Sequence, residues 1–190
     1  MNVGPRARVL AAVVTCLGRV GVRRLTVDEV ASEAGVSRAS VYRWFPGGRD
    51  QLVDEAITWE VARYLNRLAE AVAAETTLAD RLTRGLLFAH RTIEEHEVLQ
   101  RLLATEPGGV LPQLRETAPL IVAVMRDWLT PLVASEPALR QGLDPAEAAD
   151  WLARMIISFT ITPGRWDLDD PAQVRELVAS ELLAGVVHAV

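Results

Sequence analysis

The chain has 190 residues, half of them apolar, which is enough for one ordinary hydrophobic core or two small ones. No stretch approaches the roughly 18 uninterrupted apolar residues of a membrane span, so we expect no membrane partner. The single cysteine, Cys16, excludes a disulfide within these residues and favours a reducing cytoplasm. Its apolar helical surroundings predict a buried, inert thiol.

Charge is distributed unevenly along the chain. All 20 basic residues are arginine, and they stand against 25 acidic residues for a formal net charge of −5. Residues 1–50 hold eight arginines against four acids, a balance of +4, and the other 140 residues have a balance of −9. A basic head on an acidic body is the arrangement expected where only one end of a protein meets phosphate.

Apolar residues recur at three- and four-residue intervals through most of the chain, which predicts helices and almost no strand. The first such stripe runs over residues 9–20 and stops at Gly21. Thr26 and Glu29 then have the spacing of a capping box, in which each side chain bonds the other's backbone N–H. A short second helix is therefore predicted to about Ala34.

A glycine turn separates this second helix from a third. Gly35 supplies the turn, and Ser37 is a good N-cap for a helix through about Trp44. The run Phe45-Pro46-Gly47-Gly48 then breaks the chain.

The rest of the chain is also predicted to be helical. The expected helices run over about 50–75, 78–95, 98–105, 110–136, 145–162 and 171–188, with caps at Thr77, Asp144 and Asp170. A turn is predicted at Pro107-Gly108-Gly109, and interruptions of the helix that follows it are predicted at Pro112, Pro119 and Pro131.

Two short helices joined by a glycine turn have the geometry of a helix-turn-helix. Residues small enough for the two helices to cross closely are Ala31, Ala34 and Val36, and those that can fill the core beneath them are Val30, Val41 and Phe45. This arrangement leaves Arg38, Ser40 and Arg43 on the outer face of the third helix. Small polar and basic residues near a helix N-terminus suit base edges and phosphates.

The stretch LTVDEVASEAGVSRASVYRWFPGGRDQLV, residues 25–53, resembles the DNA-binding signature of the TetR family of regulators. The matching features are the threonine that opens the second helix, the Ala-Gly-Val-Ser turn at 34–37, Tyr42, and the aromatic pair Trp44-Phe45. The resemblance covers residues 9–57, and the tail at 165–186 is similar to those of actinobacterial members. The family usually carries a lysine two or three positions after the phenylalanine, whereas here Gly47-Gly48 intervene and Arg49 is the nearest basic residue.

The resemblance implies a set of DNA contacts. Thr26 and Ser37 would hold phosphates at helix N-termini, Tyr42 would reach a phosphate through its hydroxyl, and Arg49 would clamp the backbone. The residues implied to face the major groove are Arg38, Ala39, Ser40 and Arg43, with either arginine reading guanine and Ala39 touching a thymine methyl. Trp44 is a further implied DNA contact. The alternatives are that Thr26 and Ser37 only cap their helices, that the two arginines lie on a solvated face, and that Trp44 only packs.

The C-terminal part offers a dimer interface. Residues 152–161 are apolar almost all round, and the last predicted helix carries small alanines that allow close approach. The family analogue is a four-helix bundle built from two helices of each protomer, here 144–162 and 170–188. An ordinary intrachain core is the alternative.

A ligand pocket is expected in the same region, since such sites are mostly apolar with a few polar groups. The candidate ligand-binding residues are Trp59, Phe88, His90, Arg91, Met125, Trp128, Arg154, Met155 and Phe159. No cofactor is expected, and His90 and His96 are six residues apart, the wrong spacing for a helical metal pair, so no metal is expected either.

We therefore expect an all-α chain with an N-terminal three-helix helix-turn-helix DNA-binding domain at 1–48 and a multi-helix ligand-binding and dimerisation domain at 49–190. The resemblance implies a cytoplasmic, ligand-responsive repressor that binds a palindromic operator in double-stranded DNA as a homodimer and is released by a small-molecule effector. No GxSxG, phosphate-binding glycine loop or Cys/His pair at a catalytic spacing is present, so an enzyme is not expected. The alternatives are a constitutive DNA-binding dimer without a physiological ligand, and a helical protein-binding adaptor.

Overall fold

The computed structural model describes residues 4–188, apart from the side chains of Val110, Gln113 and Leu114. Its helices are α1 (Pro5–Val20), α2 (Val27–Ala34), α3 (Arg38–Trp44), α4 (Gly48–Val72), α5 (Leu78–Glu94), α6 (Glu97–Thr105), α7 (Pro107–Ala134), α8 (Pro145–Ile161) and α9 (Pro171–Leu177), which continues as a π-helical segment, Val178–Leu182. Extended pairing within the described residues is limited to an isolated antiparallel bridge between Leu139 and Val187. The predicted all-α class is confirmed.

The chain divides into two compact units. The first comprises Met1–Tyr64 with Glu94–Thr117, and the second comprises Leu65–Ile93 with Ala118–Val190. This division does not follow the predicted boundary at 48/49, because the first turns of α4 pack into the core of the first unit through Leu52, Val53 and Ala56. Whether the functional domains meet at residue 48 stays a prediction.

The core of the first unit joins α1, α2 and α3. The residues predicted to lie beneath the helix-turn-helix, Val30, Val41 and Phe45, are fully buried, and Val9 and Val13 of α1 are buried with them. Burying apolar side chains of this size contributes about 1.5–3 kcal/mol each before the entropy cost of folding is counted. Packing against α1, and not their own length, therefore stabilises the two short helices.

The second unit has its own core, in which four stretches of helix meet. Its largest fully buried side chains are Leu86 of α5, Leu129 of α7, Leu152 of α8, and Leu177 and Leu182 of the last helix. Both late helices begin as predicted, since the Asp144 and Asp170 side chains accept hydrogen bonds from Ala146 N at 3.0 Å and Ala172 N at 2.8 Å.

The predicted turn at 107–109 is wrong. Pro107 is instead the first residue of α7, which continues across the predicted interruptions at Pro112, Pro119 and Pro131. A proline at the first helical position loses no hydrogen bond, because that N–H has no helical partner. A proline instead restricts the backbone conformation of the residue before it. Here that residue is Glu106, which ends α6 with an extended φ of −138°.

Part of α7, Arg115–Ala134, has the length and the apolar composition that a membrane-spanning helix needs, with a mean hydropathy of 1.2. Arg126 and Asp127 interrupt this apolar stretch. Length and composition alone do not distinguish a membrane span from an apolar helix of a soluble protein. The expected absence of a membrane partner therefore stays a prediction.

The last helix ends at Leu182 rather than at the predicted residue 188. The following residues pair with a loop after α7, since Arg140 N donates to Val186 O at 3.0 Å and His188 N donates to Ala138 O at 2.8 Å. The Arg140 guanidinium also donates to Ala184 O at 2.9 Å. These bonds give the terminal backbone groups non-helical partners, which a local sequence pattern does not reveal.

Candidate nucleic-acid interface

The start of α2 is fixed by the predicted capping box. Thr26 Oγ1 accepts a hydrogen bond from Glu29 N at 3.2 Å, and Glu29 Oε2 accepts one from Thr26 N at 3.1 Å. The Thr26 hydroxyl also lies 2.9 Å from Glu29 Oε2, to which it donates. Thr26 therefore acts as a cap, and any phosphate it meets must share this helix end with a carboxylate.

The turn between α2 and α3 closes as a Schellman motif, in which the N–H groups after a helix bond back to its last carbonyls. Val36 N donates to Ala31 O at 3.0 Å, and Gly35 N donates to Ser32 O at 3.2 Å. Gly35 has a φ of +64°, a left-handed conformation that favours glycine. This turn sets the direction in which α3 leaves α2.

Ser37 caps α3 as predicted, since its Oγ accepts a hydrogen bond from Ser40 N at 3.1 Å. The Ser37 and Ser40 hydroxyls also lie 3.0 Å apart and share a hydrogen bond. Ala39 is exposed beside them, while Val41 on the opposite side of the helix is fully buried. The predicted outer face of α3 is thus accessible to a ligand.

Arg38 and Tyr42 lie next to each other on this face. The Arg38 guanidinium carbon is 5.5 Å from the centre of the Tyr42 ring, and Arg38 Nη1 donates to Asp28 Oδ2 at 3.1 Å. The hydrogen bond with the Tyr42 side chain and, to a lesser extent, the Asp28 carboxylate favour the charged form, so the pKa of Arg38 lies above its ordinary value. The predicted groove-facing arginine is therefore a permanent cation with a defined orientation.

Arg43 and Trp44 close the helix. Arg43 is exposed, and its guanidinium carbon is 5.4 Å from the centre of the Trp44 ring. Trp44 is half-buried and packs against the core of the first unit. Packing is thus one role of Trp44, and its role as a DNA contact stays a prediction.

Arg49, the predicted phosphate clamp, already has partners inside the protein. Its guanidinium donates to Val22 O and to Asp50 Oδ1, the latter at 2.7 Å. Gly48, just before it, has a φ of +65° and lies so close to Tyr42 that an added Cβ would be 3.5 Å from the ring. The second glycine of the pair therefore allows the chain to turn tightly beside Tyr42 as α4 begins.

Sequence reasoning missed two further cations. Arg23 and Arg24 are exposed in the turn between α1 and α2, three and two residues before Thr26. No ion pair or hydrogen bond of either guanidinium is described within residues 4–188. The sequence signal that could have identified them is the pair of adjacent arginines just before the predicted N-cap. The start of a helix is itself positive, so its potential adds to that of the two arginines.

The nine predicted ligand-binding residues are divided between the two units. Trp59 belongs to the first, where it packs against the core and lies 4.6 Å from the Arg63 guanidinium carbon. The other eight belong to the second, and of these Met125 is buried, Phe88, His90, Met155 and Phe159 are half-buried, and Arg91, Trp128 and Arg154 are exposed. Arg154 pairs with Asp150 at 2.7 Å on this exposed surface.

Two clefts are formed by residues of the first unit. One, of about 570 Å³, lies between the α1–α2 turn and α6 and is lined in part by Arg23, Arg24, Arg101 and Glu106. The other, of about 550 Å³, is lined by Arg19, Asp28, Glu29, Ser32 and Glu33. Neither is lined by any of the nine predicted ligand-binding residues.

Comparison with known proteins places this geometry in a family. The family model of the bacterial regulatory proteins, tetR family, matches residues 9–56, which include α1, α2, α3 and the start of α4. An uncharacterized HTH-type transcriptional regulator of Mycobacterium tuberculosis strain H37Rv is 25% identical over 152 residues, which are 80% of this chain and 72% of the relative. The chain carries the DNA-binding domain of the TetR family of transcriptional regulators at residues 9–56. It is a DNA-binding regulator and not an enzyme.

Solved structures of TetR-family proteins share the fold over nearly the whole chain. The TetR family repressor AlkX from a Dietzia species, implicated in biodegradation of n-alkanes, has a TM-score of 0.66 and 24% identity, and the match covers 95% of this chain and 98% of AlkX. The transcriptional repressor QsdR of R. erythropolis has a TM-score of 0.61 and 20% identity, and the match covers 98% of this chain and 97% of QsdR. At these identities the likeness establishes the fold.

Proposed function

We propose that this TetR-family regulator is a cytoplasmic, ligand-responsive repressor that binds a palindromic operator as a homodimer and is released by a small-molecule effector. The observation that carries the proposal is the outer face of α3. There Arg38, Ala39 and Arg43 are exposed on a helix whose other side is sealed by Val41. A short helix with small and basic side chains on its free face suits the major groove.

Dimerisation is supported by apolar surface that remains uncovered on α8. Trp151 keeps 39% and Ile161 keeps 73% of the accessible surface of the residue, although Leu152 and Ile156 between them are buried. The last helix exposes small residues, among them Ala179 and Ser180, which allow close approach of a second helix. A two-fold dimer built on these faces would pair two recognition helices with the two halves of a palindrome.

Effector release is supported by the course of α4. This helix packs into the core of the first unit through Leu52 and continues past Tyr64 into the second unit. In the second unit His90 is half-buried, with Nε2 3.7 Å from Asp169 Oδ1, on the same helix as the half-buried Phe88. An apolar molecule with one polar group matches these side chains, and a coupling of about 1–3 kcal/mol would lower operator affinity five- to hundredfold.

The experiment that tests the proposal begins with selection of binding sites from a pool of random DNA duplexes. The expected product is an inverted repeat bound by two chains, with half-sites about 34 Å apart along the helix axis. A library of small apolar molecules with one polar group is then screened for compounds that raise the melting temperature of the protein. At least one such compound should lower affinity for the selected duplex, since coupling between two binding sites is reciprocal.

Two other functions predict different results. A constitutive DNA-binding dimer without a ligand selects the same inverted repeat, but no compound that binds it changes its affinity for DNA. A protein-binding adaptor gives a flat titration with duplex DNA even at low salt, where electrostatic attraction is strongest. The exposed arginines of α3 and of the α1–α2 turn favour a DNA-binding protein over the adaptor.

A further inference from the structure

An acidic residue lies beside the recognition helix. Asp28 is on α2, and its Oδ2 accepts a hydrogen bond from Arg38 Nη1 at 3.1 Å. On another side the guanidinium carbon of Arg38 lies 5.5 Å from the centre of the Tyr42 ring. The guanidinium is therefore held by a carboxylate on one helix and by an aromatic ring on another.

The pair contributes little to folding. The side chains of Arg38 and Asp28 keep 60% and 64% of their accessible surface, and water screens an ion pair this exposed. The carboxylate does not attract DNA either, because its charge repels phosphate. What the contact does is restrict a guanidinium that would otherwise sample many rotamers, and an arginine that is already oriented loses less entropy when it binds.

We propose that Asp28 is a specificity-determining positioning residue, which holds Arg38 in the orientation that presents two N–H groups to the edge of one guanine in the major groove. The inference rests on the proposed operator binding. Arg38 is the first residue of α3, and the N-terminal residues of a recognition helix contact base edges. A guanidinium has five N–H groups, so three remain after one is given to Asp28 and one to the Tyr42 side chain, and guanine O6 and N7 need two.

The chain supplies a matched control on the same helix. Glu33 of α2 makes a similar exposed ion pair, with Arg19 at 3.2 Å, and Arg19 is not on the recognition helix. Asp28→Asn and Glu33→Gln each remove one negative charge from α2. Any general gain in attraction to phosphate is therefore common to both variants, and a change confined to Asp28→Asn reports orientation.

The test measures affinities for the duplex that the wild-type protein selects from a random pool, and for its single-base variants. Arg38→Ala should lower the preference for guanine at one position of each half-site about tenfold, a typical value for a bidentate contact. Asp28→Asn should lower the same preference to a similar extent, and the double variant should lose no more than Arg38→Ala alone. Asp28→Glu should keep part of the preference, and Glu33→Gln should keep all of it.

Two results would overturn the inference. If Asp28→Asn tightens binding to every duplex as Glu33→Gln does and leaves the guanine preference at its wild-type value, Asp28 only opposes DNA binding and does not position Arg38. If the wild-type protein selects no sequence from the pool, the operator-binding proposal fails, and this inference fails with it. The two failures are distinguishable, because the first is seen on a selected site and the second yields none.

Discussion

The guanidinium of Arg49 donates a hydrogen bond to the backbone carbonyl of Val22, 27 residues earlier in the chain, at 2.5 Å. Arg49 lies in the first turn of α4, and Val22 lies in the turn between α1 and α2. The bond ties the start of the long helix to the turn that precedes the capping box. An arginine in this place has a structural role as well as any role toward phosphate.

Arg49→Ala should therefore lower both stability and DNA affinity. The loss of a charged donor from the Val22 carbonyl should reduce the free energy of unfolding by about 1 kcal/mol, a modest value because the side chain is partly exposed. Affinity should fall equally for selected and scrambled duplexes, and the salt slope should decrease by about one for each phosphate contact removed. Urea unfolding and a salt series on both duplexes measure these effects. An unchanged salt slope would mean that Arg49 serves the fold alone.

Arg49→Lys separates the two roles. Lysine keeps the positive charge, so the salt slope should return toward that of the wild type. A lysine ammonium does not reproduce the planar fork that bonds Val22 and Asp50 together, so stability should recover less than DNA binding does. Equal recovery of both would contradict a distinct structural bond.

The helix-turn-helix could be predicted from sequence because its signals are local. The capping residues Thr26 and Ser37 and the turn residue Gly35 each act within three or four positions of their partners. The same holds for the caps Asp144 and Asp170 of the late helices. The ends of these helices are fixed by bonds that a short sequence window contains.

The wrong end of the last helix, unlike the wrong turn at 107–109, concerns contacts that join distant parts of the chain. The last helix stops at Leu182 because the backbone beyond it pairs with residues 138–140, more than 40 positions earlier. The Val22 carbonyl that Arg49 bonds and the Asp28 carboxylate that Arg38 bonds lie 27 and 10 positions earlier, on other elements. A sequence pattern identifies such a side chain as basic and exposed, but it does not show which carbonyl or carboxylate it meets.

Gly35→Ala should destabilise the first unit through the backbone alone. A Cβ at Gly35 would meet nothing within 4 Å, so the cost is that of a left-handed φ of +64° for an L-residue, about 1–2 kcal/mol. Gly35→Asn should recover part of this loss, since asparagine tolerates the left-handed region. Gly108→Ala is the matched control, because its Cβ is equally unobstructed and its φ is not positive. The free energy of unfolding in urea measures all three, and equal values for Gly35→Ala and Gly108→Ala would contradict the argument.

Cys16 should be chemically inert in the folded protein. Its side chain is fully buried, and burial raises the pKa of the Cys16 thiol more than the nearby Arg19 charge lowers it. A raised pKa leaves less thiolate at a given pH, and the thiolate is the reactive form. An aromatic disulfide reagent near neutral pH should therefore react slowly with the native protein and rapidly in urea. Similar rates in the two states would show that the first unit opens readily.

Trp151→Arg should convert a dimer into a monomer. Trp151 is exposed on α8, so an arginine there leaves the intrachain core intact. In the proposed dimer the new charge would be buried without a partner, which costs several kcal/mol. Light scattering should fall from twice the 20.8 kDa chain mass to that mass itself.

Leu120→Arg is the control for the dimer interface. Leu120 is on α7 and keeps 46% of its accessible surface, so the two substitutions are chemically alike but lie on different helices. This variant should remain dimeric. If it becomes monomeric while Trp151→Arg does not, chains associate through α7, and the interface proposed on α8 and the last helix is wrong.

Arg43→Ala should reveal whether α3 reads bases with its second arginine. Arg43 is exposed, and its described contact is the Trp44 ring at 5.4 Å, so the guanidinium is not tied to a carboxylate as that of Arg38 is. If it contacts a base edge, its removal should cost about 1–3 kcal/mol per half-site on the selected duplex and much less on a scrambled one. In a dimer the substitution occurs twice, so the loss on a palindrome should be about double that on a single half-site.

The comparison with a phosphate contact makes this measurement decisive. A phosphate contact carries no sequence information, so its loss weakens binding to both duplexes alike and reduces the salt slope. Arg24→Ala provides that reference, because Arg24 is exposed in the α1–α2 turn beyond the recognition helix. Arg43→Ala should differ from it by losing affinity on the selected duplex while keeping its salt slope. If the two variants behave alike, Arg43 binds the DNA backbone, and Arg38 alone is left to read guanine from α3.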